Sequence, residues 1–206
     1  TKAWNDARNQ DGKRPLSVEV ELYADGKATG KTATLNESNG WSYTWSDLDE
    51  KSNGRTITYS VKENDVNAAY TVTYGDDGKG NFTVTNTHTP ETVDISGSKE
   101  WNDAGNEGAR PTKITVRLLA DGQEVDHAEA SKSNGWSWSF SGKPKYAAGN
   151  EIKYSVVEDS VENYTTEKGT GEYDIKNTYN PGKTSIHVTK AWNDARNQDG
   201  KRPLSV

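Results

Sequence analysis

The sequence predicts an all-β chain of tandem antiparallel β-sandwiches of immunoglobulin-like type, and three observations carry the prediction. Short runs alternate apolar with polar residues at a period of two, the mark of half-buried strands. Gly, Asn and Asp clusters separate these runs, giving about seven strands in a unit of roughly 90 residues. The stretch from Thr1 to Val18 recurs verbatim from Thr189 to Val206, and a diverged copy opens between them at Lys99-Glu100-Trp101-Asn102-Asp103, followed after a polar loop by Arg110-Pro111. Self-similarity at fixed spacing marks an array. The chain therefore divides into one unit over 1–90, a second over 91–181, and the opening strand and loop of a third over 182–206.

In the first unit Val18, Val20 and Leu22 share one face of a strand from Ser17 to Tyr23, and Ala24-Asp25-Gly26-Lys27 turns the chain into a second strand from Ala28 to Leu35. Asn39-Gly40 signals a turn before Trp41-Ser42-Tyr43-Thr44-Trp45, where the period of two places Trp41, Tyr43 and Trp45 together on a core-facing side. Thr56 to Glu63, Tyr70 to Tyr74 and Asn81 to His88 complete the set. The second unit repeats the plan with Ile114, Val116 and Leu118; Asp121-Gly122; Asn134-Gly135; Trp136, Trp138 and Phe140; Glu151 to Glu158; Tyr164 to Glu167; and Glu172 to Tyr179. No segment carries a helical period. Thr89-Pro90 and Asn180-Pro181-Gly182 are linkers too short and too proline-marked for free tumbling, so a semi-rigid rod is expected.

Composition narrows the function. Leu, Ile, Val and Phe together number 29 of 206 residues, a fraction that often means disorder. Here seven Trp and ten Tyr supply the missing burial, since each aromatic side chain removes on the order of 150–250 Å² from water. A net charge of −6 with acids and bases interspersed, and no basic patch, argues against a nucleic-acid partner. No apolar run approaches the roughly 18–20 residues that span a bilayer, so membrane insertion is not expected. The absence of Cys rules out disulfides and thiolate metal sites, and any covalent staple must come from other chemistry. Neither a cofactor nor a metal is called for, and the absence of Met suits an exposed extracellular setting.

The informative anomaly is polar residues at core-facing parity. Ile186, Val188, Lys190 and Trp192 share one side of a strand, as do Val93, Ile95, Gly97, Lys99 and Trp101. Ile57, Tyr59, Val61 and Glu63, matched by Ile152, Tyr154, Val156 and Glu158, direct a carboxyl inward. Phe82, Val84, Asn86 and His88, matched by Tyr173, Ile175, Asn177 and Tyr179, direct a carboxamide inward. Unpaired buried charge is costly, and burial pushes a lysine toward its neutral amine and a glutamate toward its acid. Two readings fit this parity equally. One is a hydrogen-bonded Lys–Glu ion pair with a satisfied Asn. In the other the amine attacks the Asn carboxamide while Glu shuttles protons, ammonia leaves, and a Lys–Asn isopeptide bond forms once per unit without turnover. Recurrence in both units, with no cysteine available, favours the second.

These residues sit in motifs that resemble the B-type repeats of the collagen-binding adhesin (Cna-B) family. The motifs are Lys-x-Trp-x-Asp with Asp11-Gly12-Lys13-Arg14-Pro15, Leu22-Tyr23-Ala24-Asp25-Gly26, Tyr-Ser-Val-x-Glu at Tyr59 to Glu63 and Tyr154 to Glu158, and Thr85-Asn86-Thr87-His88. The resemblance covers essentially the whole chain. It implies inverse immunoglobulin-like sandwiches in a cell-wall-anchored surface protein of a Gram-positive bacterium, with first and last strands joined by an isopeptide bond and a catalytic Glu. By position the triads are Lys2, Glu63 and Asn86, then Lys99, Glu158 and Asn177, the last in Lys176-Asn177-Thr178-Tyr179 rather than Asn-Thr-His. Lys190 has no Glu or Asn after it.

The resulting expectation is a structural stalk or spacer of a surface adhesin or fibre whose partners are its own neighbouring repeats. The competing expectation is a ligand-binding adhesin domain that recognises a host matrix protein or glycan through loops such as Asp6 to Lys13. Reading Trp41, Tyr43 and Trp45 as a sugar platform, or Asn9-Gln10-Asp11-Gly12 as a calcium loop, is weaker: shared parity means core, and the EF-hand spacing lacks its oxygen ligand at Ala7. His88, His127 and His187 are scattered and suggest neither a ligand nor a base. The verbatim duplication also raises head-to-tail self-association through residues 183–206, since the opening strand of the first unit is cut short and the tail carries a complete one; the alternative, slightly favoured, is that the tail only marks where the repeat register is cut.

Overall fold

The computed structural model describes residues 1–206. The first unit comprises β1 (Lys2–Asn5), β2 (Ser17–Ala24), β3 (Lys27–Asn36), β4 (Lys51–Ser52), β5 (Arg55–Thr56), β6 (Tyr59–Asn64), β7 (Thr71–Asp76) and β8 (Phe82–Thr87). The second comprises β9 (Thr92–Asn102), β10 (Lys113–Ala120), β11 (Gln123–Ser131), β12 (Ser137–Pro144), β13 (Tyr146–Ala147), β14 (Asn150–Glu151), β15 (Tyr154–Glu158), β16 (Tyr164–Lys168) and β17 (Ile175–Tyr179). No α-helix forms, only three-residue 3-10 turns, and no helix is long and apolar enough to cross a membrane.

Each unit is two sheets around one core. Order β3-β2-β6 faces β1-β8-β7, and order β11-β10-β15 faces β12-β9-β17-β16. The hairpins turn where the sequence supplies residues that tolerate positive φ: Asp25 and Gly26 at 49° and 76°, Asp121 and Gly122 at 49° and 83°. Alternation on β2 buries Val18, Val20 and Leu22 against Ala33, Leu35, Val61 and Val84. In the second unit Ile114, Val116 and Leu118 meet Ile95, Trp138, Phe140 and Ile175.

Two strand pairs break the antiparallel rule, and both join the first strand of a unit to its last. β1 runs parallel to β8 with Lys2 opposite Val84 and Trp4 opposite Asn86; β9 runs parallel to β17 with Lys99 opposite Ile175 and Trp101 opposite Asn177. The chain therefore enters and leaves a unit at opposite ends. At the joint between units the Gly149 N–H donates to the Gln10 carbonyl at 2.9 Å, and Gly12 lies so close that a Cβ there would come within 3.0 Å of the Gly149 Cα. The linker residue Glu91 is held by Lys145 through both backbone and side chain, at 3.1 and 2.8 Å.

Two expectations need correction. Residues 41–45 form no strand, and Tyr43 is 53 % exposed, while Trp41 and Trp45 pack half-buried against the core. Their counterparts in the second unit do form β12, with Trp138 and Phe140 buried, because β12 pairs with the first half of β9. In the first unit the contact with this stretch is the Lys2 N–H donating to the Trp41 carbonyl at 2.7 Å. Likewise residues 182–206 form no opening strand, and only the turn Ala195–Asn197 forms there.

Leu118 is fully buried at the centre of the second core. Leu118→Ala should destabilise the second unit by about 2–5 kcal/mol and leave the unfolding of the first unchanged, as followed by chemical denaturation; a single transition shifted as a whole would mean that the units do not fold separately.

Candidate functional site

The predicted polar residues converge in each unit. β1 and β8 carry Lys2 and Asn86 on the inner face of one sheet, and β6 carries Glu63 on the facing sheet, where it pairs opposite Val20. Lys2 and Glu63 have side chains 0 % and 1 % exposed, with Nζ 3.6 Å from Oε2. The Asn86 Nδ2 donates to Glu63 Oε1 at 2.9 Å, so one carboxylate touches both the amine and the carboxamide. Lys2 Nζ also donates to the Ala3 carbonyl at 3.2 Å and lies 4.0 Å from the centroid of the Trp4 ring.

In the second unit Lys99 Nζ donates to Glu158 Oε2 at 2.6 Å, and both side chains are 0 % exposed. Thr166 donates to the same oxygen at 3.3 Å. Asn177 is fully buried, and neither its Oδ1 nor its Nδ2 has a hydrogen-bond partner. A buried carboxamide without partners is unfavourable by about 1–3 kcal/mol for each polar group. In the first unit Asn86 Oδ1 is likewise without a partner. Lys190 is exposed and lies over the Trp192 ring at 4.8 Å.

Desolvation sets the electrostatics. Burial pushes the Lys2 amine down to about 8, against the opposing attraction of Glu63. Burial lowers the Lys99 amine as well, again opposed by its glutamate. A lowered amine supplies more of the neutral form that can act as a nucleophile.

A second arrangement escaped the sequence reading. Asp6 accepts from Arg14 Nε and Nη2 at 2.9 and 2.6 Å, and from the Tyr70 hydroxyl at 3.0 Å, so the loop after β1 is latched to the edge of the core. Asp103 with Arg110, and Asp194 with Arg202, repeat the bidentate pair. The available signal was the Asp followed by Arg-Pro in all three openings. His88, set aside as chemistry, bridges this loop to the sheet: its Nε2 is 2.7 Å from Asp11 Oδ2 and its Nδ1 is 2.8 Å from the Ala69 carbonyl oxygen.

The site is thus one lysine, one glutamate and one asparagine enclosed in each of two β-sandwiches whose first and last strands lie side by side. The chain belongs to the Cna protein B-type domain family, whose profile matches residues 1–87 and 95–178. It is 50% identical over 208 residues to a collagen adhesin of Staphylococcus aureus, covering 100% of this chain and 17% of that protein. The solved pair of B repeat units (B1B2) of the S. aureus collagen-binding protein superposes with a TM-score of 0.83 at 48% identity, over 98% of this chain and 54% of that one. A single B repeat unit (B1) of the same protein is 35% identical over 87% of this chain and 96% of that one, with a TM-score of 0.42.

The Asp6 carboxyl is held below its ordinary range chiefly by its bonds from Arg14. Asp6→Asn should therefore lower first-unit stability at neutral pH by about 1–3 kcal/mol. A depressed folded-state value gives stability that is present above the unfolded value and lost as pH falls through the folded one, so parent and variant should converge in acid. A difference that persists unchanged at acidic pH, in urea titrations, would refute the latch.

Proposed function

We propose that this chain is a stalk segment of a Gram-positive, cell-wall-anchored surface adhesin or fibre, in which each unit is closed by an autocatalytic Lys–Asn isopeptide bond. The observation that carries the reading is the recurrence, in both units, of a buried Lys and a buried Asn on adjacent parallel strands with a Glu from the facing sheet against the Lys, a Glu that in the first unit also accepts from the Asn. Lys2 and Lys99 act as nucleophiles toward the Cγ of Asn86 and Asn177, and Glu63 and Glu158 act as proton shuttles. The neutral amine attacks Cγ, Glu accepts an amine proton and delivers a proton to the departing nitrogen. One C–N bond forms, one breaks, and one ammonia leaves for each unit.

Closing a loop of about 80 residues in this way is worth roughly 4–5 kcal/mol in the chain-entropy model. The partners are neighbouring repeats of the same polypeptide. Collagen binding is named for the relative, and the spacer role fits a segment of repeats whose recurring buried Lys, Glu and Asn face inward rather than toward a ligand.

The test is the intact mass of the denatured chain. The parent should weigh two ammonia molecules less than its sequence, and Glu63→Ala and Glu158→Ala should each restore one. A parent mass equal to that of the sequence would leave ordinary buried ion pairs and sink the crosslink. A pH dependence also follows from the Lys2 value of about 8. After refolding from acid denaturant, loss of ammonia from the first unit should accelerate with the neutral-amine fraction up to that pH and level off above it. A rate that is flat across neutral pH would remove the amine from the slow step.

A further inference from the structure

Where the first unit meets the second, one side chain faces more acceptors than either of its neutral forms can serve. His88 stands at the end of the first unit, two residues before the buried Pro90 of the linker, and its side chain is 10 % exposed. Its Nδ1 lies 2.8 Å from the Ala69 carbonyl oxygen and its Nε2 lies 2.7 Å from Asp11 Oδ2. A carbonyl only accepts, and so does an ionised carboxylate. Burial by itself would raise the Asp11 carboxyl, but the bonds from His88 and from the Lys13 N–H outweigh it and hold the group below its ordinary range, so Asp11 is ionised. A neutral imidazole carries one N–H and one lone pair. Either tautomer would set that lone pair against an oxygen at bonding distance, and only the imidazolium donates to both.

What the ring holds is the part of the first unit that touches the second. Asp11 sits between Gln10, whose carbonyl accepts the Gly149 N–H at 2.9 Å, and Gly12, which packs on Gly149. The Asp11 side chain is 1 % exposed, and its Oδ1 is buried without a partner. The other charges nearby are few. Lys13 Nζ lies 3.5 Å from the same Asp11 oxygen. Tyr70 packs beside the ring with centroids 5.2 Å apart, its hydroxyl turned away to the Asp6 that Arg14 holds. On the linker, Glu91 is paired with Lys145. We propose that His88 is a proton-operated catch for this joint: the imidazolium fastens the Asp11 loop against the second unit, and loss of its proton releases the loop and lets the two units bend against each other.

With the proton gone, the remaining N–H stays with the Ala69 carbonyl, and Nε2 turns a lone pair on a buried carboxylate. Salt screens so enclosed a pair only weakly, and a buried acceptor left unsatisfied costs its full desolvation penalty. The loop relieves this by moving Asp11 into water, which carries Gln10 and Gly12 away from Gly149. The bonds of Asp6 to Arg14 and Tyr70 keep the base of the loop in place, so the tip alone moves. Closure takes up a proton, so the closed joint is favoured at low pH and opens as pH rises through the range in which histidine titrates. The second unit has no such catch. Tyr179 stands in the place of His88, and Glu107-Gly108-Ala109 stands in that of Asp11-Gly12-Lys13.

The Gly149 amide reports the joint directly, because its N–H is the one that Gln10 accepts. In the intact chain its hydrogen-exchange protection factor, corrected for the intrinsic pH dependence of exchange, should fall between about pH 5 and about pH 8. One lost proton allows a fall of up to about tenfold for each pH unit. The fall should track the loss of the His88 imidazolium in the nitrogen chemical shifts of the ring, while the Lys99 amide, bonded to Trp136 within the second unit, stays level. Asp11→Asn should abolish the fall and keep Gly149 protected at the upper end, since a carboxamide N–H can donate to the neutral Nε2. Asp11→Asn protection that falls as steeply as in the parent would overturn the proposal. Should that variant disturb the loop itself, the parent titration decides alone: Gly149 protection that stays level while the ring loses its proton refutes the catch.

Discussion

The parallel contact between the first and last strands of each unit is the constraint on which the rest depends. It brings residues about 80 positions apart in sequence onto neighbouring strands, Lys2 with Asn86 and Lys99 with Asn177, and no other pairing would do so. Once they are neighbours, the facing sheet must supply something for a buried ammonium, and Glu63 and Glu158 do so from the one strand that crosses the core opposite them. The alternation that makes an ordinary strand hydrophobic therefore also aligns these three polar groups. A one-residue slip of β1 would turn Lys2 to solvent and an alanine inward.

The aromatic character of the core follows from the same constraint. A small sandwich with few aliphatic residues needs bulk, and it also needs to keep water from the lysine. Trp4 and Trp101 meet both needs, lying 4.0 and 5.0 Å from Lys2 and Lys99 and packing edge-to-face against Trp41 and Trp136. Dry walls lower the amine by desolvation, and the ring face offsets part of the penalty of burying a cation. The Asp–Arg latch then closes the open end: Arg14 and Arg110 lie over the outer sides of the same rings.

Much of this was legible in the sequence because period-two alternation fixes which side a residue faces. Lys99, Glu158 and Asn177 were assigned inward by parity with Ile95, Val156 and Ile175, and all three are buried. Two features were not legible, for different reasons. Parity reports a side and not a partner, so Trp41 to Trp45 reads as a strand although it is paired with none, unlike β12. The Asp6–Arg14 pair lies in a loop, where no periodicity exists, and only its recurrence at Asp103–Arg110 and Asp194–Arg202 marks it.

The geometry also bears on how each unit would answer tension applied at its ends. With first and last strands parallel and adjacent, force enters a unit along β9 and leaves along β17, loading their ladder in shear with its bonds acting together. A covalent link from Lys99 to Asn177 would carry that force directly and exclude everything between them from the path. What stays outside is Thr92 to Ser98, held by β12, and the short run from Thr178 onward. The joint must therefore resist separation without covalent help. Between the units the direct contact is backbone on backbone: Gly12 and Gly149, both at positive φ, let two turns approach more closely than any side chain would allow, and the Lys145 side chain holds the linker at Glu91 beside it.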